Sequence, residues 1–508
     1  MSAGAVARID GDARGDVYPR CDEVLARARV AQEVWARVPV AERARRLEVV
    51  GDSILARQAE IVAALREENG KAEVEAVGHE IGGALSAVRH ACRVAPRLLG
   101  SARLPVPWLP HRRLSIERVP FGVCVVLSPW NFPFSIPLGQ VVAAVVGGNA
   151  VVLKPSEYAP RVGALVGAVF AAADLPQGLV QVVQGDGRVG AALIAARPDR
   201  VAFTGSVATG RKVMAACAQI PIPVSLELGG VDALIVCEDA DIELATSAAL
   251  WGATFNGGQV CASVERILVH ERMRSVFVGR LLAKVERLDP RDLGPCVMPA
   301  QGRVWDRHVE DARKRGLTVL SGGAWQPDRR RYTATFVMGA GIAAAVLDQE
   351  ETFGPIATIH TFADDAEAAR LHNATDFGLT ASVYTEDPAR GARLAGSLKA
   401  GIVSVNDIAG SLHAFAEVPW GGRGASGFGR SHGDEGLRDF TWPRVLDQPA
   451  RGVPGFKRPW WYPYDPDQLD VIRAFVGIVG DRHLGRRVAR VGPLARSFFG
   501  MMKRSPRI

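Results

Sequence analysis

The chain has 508 residues, 48% hydrophobic and 23% charged, with 54 glycines and 31 prolines. That balance belongs to a packed globular protein of about two to four domains and excludes disorder, collagen and coiled coil. The formal charge of +7 sits at one end: residues 447–508 hold twelve Lys or Arg against five Asp or Glu, leaving 49 of each sign in residues 1–446, so no nucleic-acid partner is expected.

Met1 to Asp16 mixes Arg and Asp with single apolar residues and lacks the apolar run of a signal peptide. From Asp22 to about Arg97, apolar residues recur at three and four (Val34, Val38; Leu47, Val50, Ile54; Ile61, Ala64, Leu65), which predicts a helical surface layer punctuated at Asn69-Gly70. After the Pro-rich passage from Leu104 to Pro110, two strand-like runs, Leu114–Val119 and Val123–Leu127, flank Pro120-Phe121-Gly122 and predict a hairpin. An alternation follows: helix near 141–146, strand 150–154, helix 161–173, strand 179–184, helix 189–196, strand 201–204, helix 209–218 and strand 224–226. A second series begins with a helix near 242–254, a strand at 266–269 and a helix at 273–285, and runs to about Val405. Such alternation predicts parallel sheets covered by helices. Pro419 to Gly436 is glycine-rich and hardly periodic, and reads as a turn-rich loop.

Seven cysteines, at 21, 92, 124, 217, 237, 261 and 296, are odd in number and contain no C-x-x-C pair. A disulfide framework or a metal site is therefore not expected, and a cytoplasmic setting is. The most apolar stretch, Leu138 to Leu153, is broken by Gln140, Gly147, Gly148 and Asn149, as a core element is and a membrane span is not.

Two stretches fit G-x-G-x-x-G. Gly185, Gly187 and Gly190 follow a strand and open a helix, but the acidic residue expected about twenty positions on is missing. Gly422, Gly424 and Gly427 have neither strand before nor helix directly after. More telling are clusters at predicted strand ends, where α/β proteins place their chemistry. Ser128-Pro129-Trp130-Asn131-Phe132-Pro133 follows one strand, Phe203-Thr204-Gly205-Ser206 with Gly210 forms a strand, turn and helix start suited to a phosphate, and Glu227-Leu228-Gly229-Gly230 ends another strand. Gly257-Gly258-Gln259-Val260-Cys261 follows a helix.

Taken in order, these clusters resemble the NAD(P)-dependent aldehyde dehydrogenase superfamily over residues 22 to 442. The resemblance runs through PWNFP at 129–133, KPSE at 154–157, FTGS at 203–206, ELGG at 227–230, GQVC at 258–261, EETFGPI at 350–356, VSVND at 403–407 and PWGGRGASGFGRSHG at 419–433. The ND pair with His413, and the HG at 432–433, are similar to the fatty-aldehyde and coniferyl-aldehyde branch.

The resemblance implies an α/β aldehyde dehydrogenase fold of two Rossmann-like parallel-sheet domains, a small β oligomerisation element and a basic helical tail. Its boundaries would be 1–227 for the NAD-binding domain, interrupted by a hairpin near 111–127, then 228–410 for the catalytic domain, 411–445 for an oligomerisation segment and 446–508 for the tail. It implies Cys261 as nucleophile, Asn131 with the Cys261 backbone N–H as oxyanion donors, and Glu227 as the base that hydrolyses a thioester to the free acid. It further implies NAD, with NADP as the alternative, held by Lys154 and Glu157 at the adenosine ribose, by Gly205, Ser206 and Gly210 at the pyrophosphate, and by Glu351 and Phe353 at the nicotinamide ribose. Trp130, Ser156 and Leu228 would be their neighbours. Two alternatives stay open: a thiol hydrolase using Cys261 without nicotinamide, and a CoA-acylating enzyme.

Val260 before the nucleophile, Trp420 where the family often has Phe, and Trp251 with Phe255 on the preceding helix together predict an apolar aldehyde pocket. The family assembles as dimers or tetramers, and a homodimer is expected. In the tail, Leu484, Val488, Val491, Leu494 and Phe498 repeat at three and four, while residues 482–508 hold eight Lys or Arg and no acid. This basic amphipathic pattern predicts peripheral attachment of residues 470–508 to an anionic membrane surface, with Gly492-Pro493 bending or ending the helix.

Overall fold

A computed structural model describes residues 6–8, 17–106, 109, 111–450, 458, 460–462, 464 and 466–504. The segment Met1 to Asp16, apart from 6–8, lies outside the described residues, as do Pro107, Trp108 and Pro110 of the Pro-rich passage and residues 505–508.

The chain divides into two compact units, one of residues 1–101 and 117–444, the other of residues 102–116 and 445–508. The first unit holds two seven-stranded sheets. One runs, edge to edge, Val6–Arg8, Val180–Gln184, Ala150–Lys154, Val123–Leu127, Arg200–Thr204, Val224–Glu227 and Gly427–Phe428, and only the last strand is antiparallel. From Val123–Leu127 the chain adds two strands on one side and then turns back to add two on the other. The strand order therefore reverses between Val123–Leu127 and Arg200–Thr204, and a crevice opens at the carboxyl ends of those strands.

The central strands are apolar on both faces because helices cover both faces. The helical layer read from the sequence comprises Val17–Trp35, which packs on the strand Ala150–Lys154 and the helix Gly187–Ala195, and Val40–Leu47, Val49–Ala56, Gln58–Asn69 and Gly82–Leu98, which gather on the segments Ser135–Val146 and 160–172 and on one another. Leu47, Val50, Ile54, Ile61, Ala64 and Leu65, which marked its periodicity, are fully buried, whereas Val34, read as part of the same pattern, is exposed and Val38 is half-buried.

The second sheet runs Thr318–Ser321, Thr335–Met338, Ile356–Phe362, Val264–His270, Asp232–Val236, Thr380–Tyr384 and Ile402–Val405, parallel except for its first pair. Gly229-Gly230, Cys261 and Phe353 precede three of its strands, so they stand at its amino-terminal edge.

Three expectations need correction. Leu114–Val119 and Val123–Leu127 do not form a hairpin: Arg112–Pro120 joins a three-stranded sheet with Ala102–Leu104 and Thr441–Pro449, while Val123–Leu127 lies in the centre of the first seven-stranded sheet. The reason is burial. Val-Cys-Val-Val-Leu is buried at every position and requires cover on two faces, whereas Arg112–Pro120 is half-buried except at Arg113, which is exposed. The loop at 419–436 contains a short strand, Gly427–Phe428, paired with Glu227 and Leu226. The tail helix breaks at Arg490 rather than at Gly492-Pro493, which lies in the first turn of Val491–Arg504, where proline is tolerated. Within the second unit, this helix packs against Pro466–Gly480.

One polar cluster anchors the helical layer to the crevice. A π-helical turn, Ala76–Ile81, brings Glu80 inward, where its carboxylate accepts from Lys71 Nζ at 2.8 Å and from the backbone N–H groups of Phe134 and Ser135. Lys71 also donates to the Asn131 carbonyl at 2.8 Å and lies over the Phe132 ring. Both charged side chains are sealed from solvent. Removing one partner of such a pair strands the other, so Lys71→Met should cost on the order of 3–5 kcal/mol in urea denaturation. A loss within about 0.5 kcal/mol, the range of an ordinary surface change, would show that the pair is dispensable.

Candidate active site

The crevice is a cavity of about 800 Å³ whose wall includes Trp130, Asn131, Lys154, Ser156, Glu157, Gly205, Ser206, Glu227, Leu228, Cys261, Glu351 and Phe353. Every site residue named from the sequence is there except Gly210. Gly210 instead faces Leu228: a Cβ at that position would come within 2.6 Å of its side chain, so the glycine lets helix Val207–Gln219 approach the strand end. Gly187 and Gly190, whose motif was incomplete, also line the cleft.

Cys261 occupies the first central position of a turn closed by the Ser263 N–H on the Val260 carbonyl, at 3.0 Å. The approach to that turn is left-handed, with positive φ at Asn256, Gly257 and Gly258. A Cβ on Gly258 would overlap the Gly354 carbonyl, which explains the Gly before Gln-Val-Cys. Asn131 is buried and donates one amide N–H to the Gln259 carbonyl at 3.1 Å, which leaves the second N–H for a ligand. Asn256 Nδ2 in turn bonds the carbonyls of Asn131 and Gln259, and Gln259 is held by the Pro295 carbonyl and the Val297 N–H.

Glu227, the last residue of its strand, is buried and accepts a hydrogen bond from the Ser431 hydroxyl. Burial raises its pKa to about 7, and Asp439 adds to the shift while Ser431 and Arg430 oppose it. Glu351 folds onto the Gly229-Gly230 turn and accepts from the Gly230 N–H at 3.2 Å, so a Cβ on Gly229 would overlap its carboxylate. Burial raises Glu351 to about 8, with Asp232 contributing. Cys261 is pushed up strongly, by burial first and then by Glu227, Asp232 and Glu351. The thiol is therefore the resting form.

Phe353 has φ +49, a conformation costly for an aromatic residue, at about 1–3 kcal/mol. Glu265 holds it there: its carboxylate accepts from the Thr352 and Phe353 N–H groups at 2.8 and 2.7 Å. The Phe353 ring meets Trp130 edge-on at 5.5 Å. Lys154 is buried at the end of its strand, 3.3 Å from the exposed Glu157 carboxylate, and Ser206 caps helix Val207–Gln219 by accepting from Thr209. The Gly205 N–H is already used by the Glu227 carbonyl at 3.0 Å.

Beside Cys261 lies a second pocket, walled by Phe132, Trp251, Phe255, Trp420, His79 and His413, with no Asp, Glu, Lys or Arg in its lining. Trp251 stacks on Phe255 at 4.6 Å, Phe255 meets His79 at 4.5 Å, and Trp420 meets His413 edge-on at 4.8 Å. Burial lowers the pKa of both histidines, which keeps them neutral. The aromatic rings nearly close on one another and leave about 30 Å³ free. Among the described residues there is no group of three side chains that could hold a metal.

Sequence reasoning missed Lys71, Glu80, Asn256, Gln259, Glu265 and Ser431, which hold other residues of the site. One of them carried a signal, since Glu265-Arg266 interrupts an apolar strand that can only be buried.

The Aldehyde dehydrogenase family model matches residues 14–446. The chain belongs to the aldehyde dehydrogenase family. It is 38% identical over 487 residues to 4,4'-diapolycopene aldehyde oxidase of Methylomonas sp, an alignment covering 94% of this chain and 91% of that protein. It is 34% identical over 462 residues to benzaldehyde dehydrogenase [NAD(+)] of Pseudomonas putida, covering 88% and 93%. Among solved structures, betaine aldehyde dehydrogenase of Staphylococcus aureus in complex with NAD+ superposes with a TM-score of 0.82 at 27% identity, covering 88% of this chain and 92% of that one. The α/β aldehyde dehydrogenase fold and the NAD(P)-using family are thereby established.

The raised carboxyl at Glu351 has a thermodynamic consequence. A carboxyl that binds its proton more tightly folded than unfolded opposes folding once ionised. The penalty is absent below about pH 4, where the unfolded chain is also protonated. It grows until the folded group ionises at about 8. The melting temperature of Glu351→Gln minus that of wild type should therefore rise by a few degrees between pH 4.5 and 8.5. A constant difference would contradict the raised affinity.

Proposed function

We propose that this protein oxidises an apolar aldehyde to the carboxylic acid with NAD, using Cys261 as nucleophile, Asn131 as oxyanion donor and Glu227 as general base. The observation that carries this reading is the convergence of a turn-borne thiol, a buried amide with one free N–H and a carboxyl with pKa near 7 on one cleft.

The cleft fits the cofactor. It has the volume of a ligand site, and Gly187, Gly190, Ile194, Val213 and Ala216 give it a smooth apolar wall beyond Lys154 and Glu157. Lys154, Ser156 and Glu157 would hold the adenosine ribose, Gly205 and Ser206 the pyrophosphate at the helix start, and Glu351, Phe353, Trp130 and Leu228 the nicotinamide end. The chemistry NAD supplies there is hydride acceptance.

Cys261 Sγ, after giving up its proton to solvent in the open cleft, adds to the aldehyde carbon and forms a thiohemiacetal whose oxygen accepts from Asn131 Nδ2–H and the Cys261 N–H. Loss of hydride leaves a thioester on Cys261. Glu227 takes a proton from water, which attacks the thioester carbon, and the carbon–sulfur bond breaks to release the acid. A base present at that point favours the free acid over transfer to CoA.

The apolar substrate is supported by the uncharged aromatic pocket and by the relatives named for diapolycopene aldehyde and benzaldehyde. With NAD, NADH formation should be efficient on aromatic and medium- to long-chain aldehydes. Cys261→Ala should abolish it, and Asn131→Ala should lower it about 10²- to 10³-fold. Ester hydrolysis with no NAD reduction by any aldehyde would overturn the reading in favour of a thiol hydrolase.

The same reading retains 1–227 as cofactor domain, 228–410 as catalytic domain, 411–445 as assembly segment and 446–508 as tail. A homodimer is supported by exposed Trp442 and Val445 on the strand Thr441–Pro449. Peripheral attachment of the tail to an anionic membrane is supported by its basic charge and by exposed Leu484, Val488, Val491 and Phe499. No helix among the described residues is long and apolar enough to cross a membrane. Analytical ultracentrifugation should give a dimer for the full chain. Only the full chain, and not one ending at residue 469, should sediment with phosphatidylserine vesicles. A monomer, or equal pelleting of the two chains, would reject the corresponding point.

A further inference from the structure

We propose that Ser431 is a positioning residue for Glu227: its hydroxyl fixes the orientation of the carboxyl group and stabilises the ionised form that accepts a proton from water. The inference rests on Glu227 being the base.

The Ser431 hydroxyl donates to Glu227 Oε1, and among the described residues it is the one side-chain hydrogen-bond partner of that carboxyl. Its own position is held from several sides. The Ser431 N–H donates to the Trp420 carbonyl at 2.8 Å and its carbonyl accepts from the Trp420 N–H at 2.6 Å. Just upstream, Gly427 and Phe428 pair with Glu227 and Leu226, so the carboxyl and the hydroxyl belong to one braced backbone. Because Trp420 also walls the aldehyde pocket, the bridge ties the pocket to the base.

A hydrogen bond from a neutral donor to a carboxylate is stronger than one to the neutral acid, and so favours ionisation. The other charged or titratable groups that bear on Glu227 are Asp439, which disfavours its ionisation, Arg430, which favours it, and the Cys261 thiol. Asp439 is itself held by Arg200, and Arg430 donates to the Gly422 and Gly429 carbonyls. Neither makes a hydrogen bond to the Glu227 carboxyl among those described. Burial alone would leave Glu227 a protonated acid over more of the neutral range, and Ser431 offsets part of that effect.

The reading predicts a split between the two half-reactions. Formation of the thioester does not use Glu227 as a water-activating base, whereas its hydrolysis does. With NAD and a benzaldehyde probe, acyl-enzyme formation is read from the first-turnover burst of NADH, and its decay from the mass of the acyl adduct on Cys261. Ser431→Ala should keep the burst amplitude, while the acidic limb of the decay rate moves to higher pH by roughly one unit, slowing decay up to tenfold below the limb. Ser431→Thr, which keeps the hydroxyl, should restore the wild-type profile. Equal burst amplitudes show that the variants are folded and bind NAD. If Ser431→Ala proves unstable, Ser431→Cys, which carries a weak donor of similar size, should show the same direction of shift.

Glu227→Gln separates the two claims. Adduct decay unaffected in Glu227→Gln overturns the base assignment itself. Slow decay in Glu227→Gln together with a wild-type pH profile in Ser431→Ala overturns only the role of Ser431.

Discussion

Four carboxyl groups, those of Glu227, Asp232, Glu265 and Glu351, crowd one region with the Cys261 thiol, and burial raises the pKa of all five. Charges cannot be taken out of water at that density without compensation. The surrounding backbone meets this constraint with N–H groups. Glu265 receives those of Thr352 and Phe353, Glu351 that of Gly230, and Asp232 that of Thr380 together with its hydroxyl. Apart from Thr380, which begins a strand, these donors lie in the turns that carry the site. The Glu-Leu-Gly-Gly and Glu-Glu-Thr-Phe-Gly-Pro segments are therefore shaped by carboxyl solvation as much as by any ligand.

The arrangement follows from how the two sheets meet. The first presents its carboxyl-terminal edge at the point where strand order reverses, and the second presents its amino-terminal edge. Loops from both enter the same crevice, which brings Asn131 and Glu227 from one sheet to Cys261 and Glu351 from the other. Neither sheet alone contains the set. The Lys71–Glu80 pair extends the dependence to the helical layer, because Lys71 reaches the Asn131 carbonyl and Glu80 holds the start of the next helix. A buried ion pair is a weak source of stability but a strict positional device.

Much of this was legible in the sequence because strand ends carry local signals. Apolar runs ending in Ser-Pro-Trp-Asn, Thr-Gly-Ser and Glu-Leu-Gly-Gly marked three loops, and all three open on the cleft. What failed was partnership across the chain. Pro120-Phe121-Gly122 looks like a hairpin turn, but sheet membership is decided by which faces are covered, and the fully apolar Val123–Leu127 needs cover that its neighbour does not. The strand Gly427–Phe428 is too short to have a period, and only Glu227, some 200 positions away, makes it a strand. Ser431 is invisible for the same reason: a serine in a glycine-rich loop signals a turn, and its partner is known only once the loop has folded back. Gly210 carried a real signal with a different cause, close packing on Leu228 rather than room for a phosphate.

The same electrostatics bears on when Cys261 can react. A thiol surrounded by carboxyl groups holds its proton, and thiols that hold their proton are slow nucleophiles and slow targets of oxidation. Cys261 is the one cysteine that opens on the cleft, while five of the other six are buried away from it. On the proposed mechanism the carboxyl that activates water is therefore adjusted from a different side than the sulfur: the loop that carries Ser431 pairs with the strand ending in Glu227 and reaches its carboxyl, and it makes no hydrogen bond to Cys261 among those described.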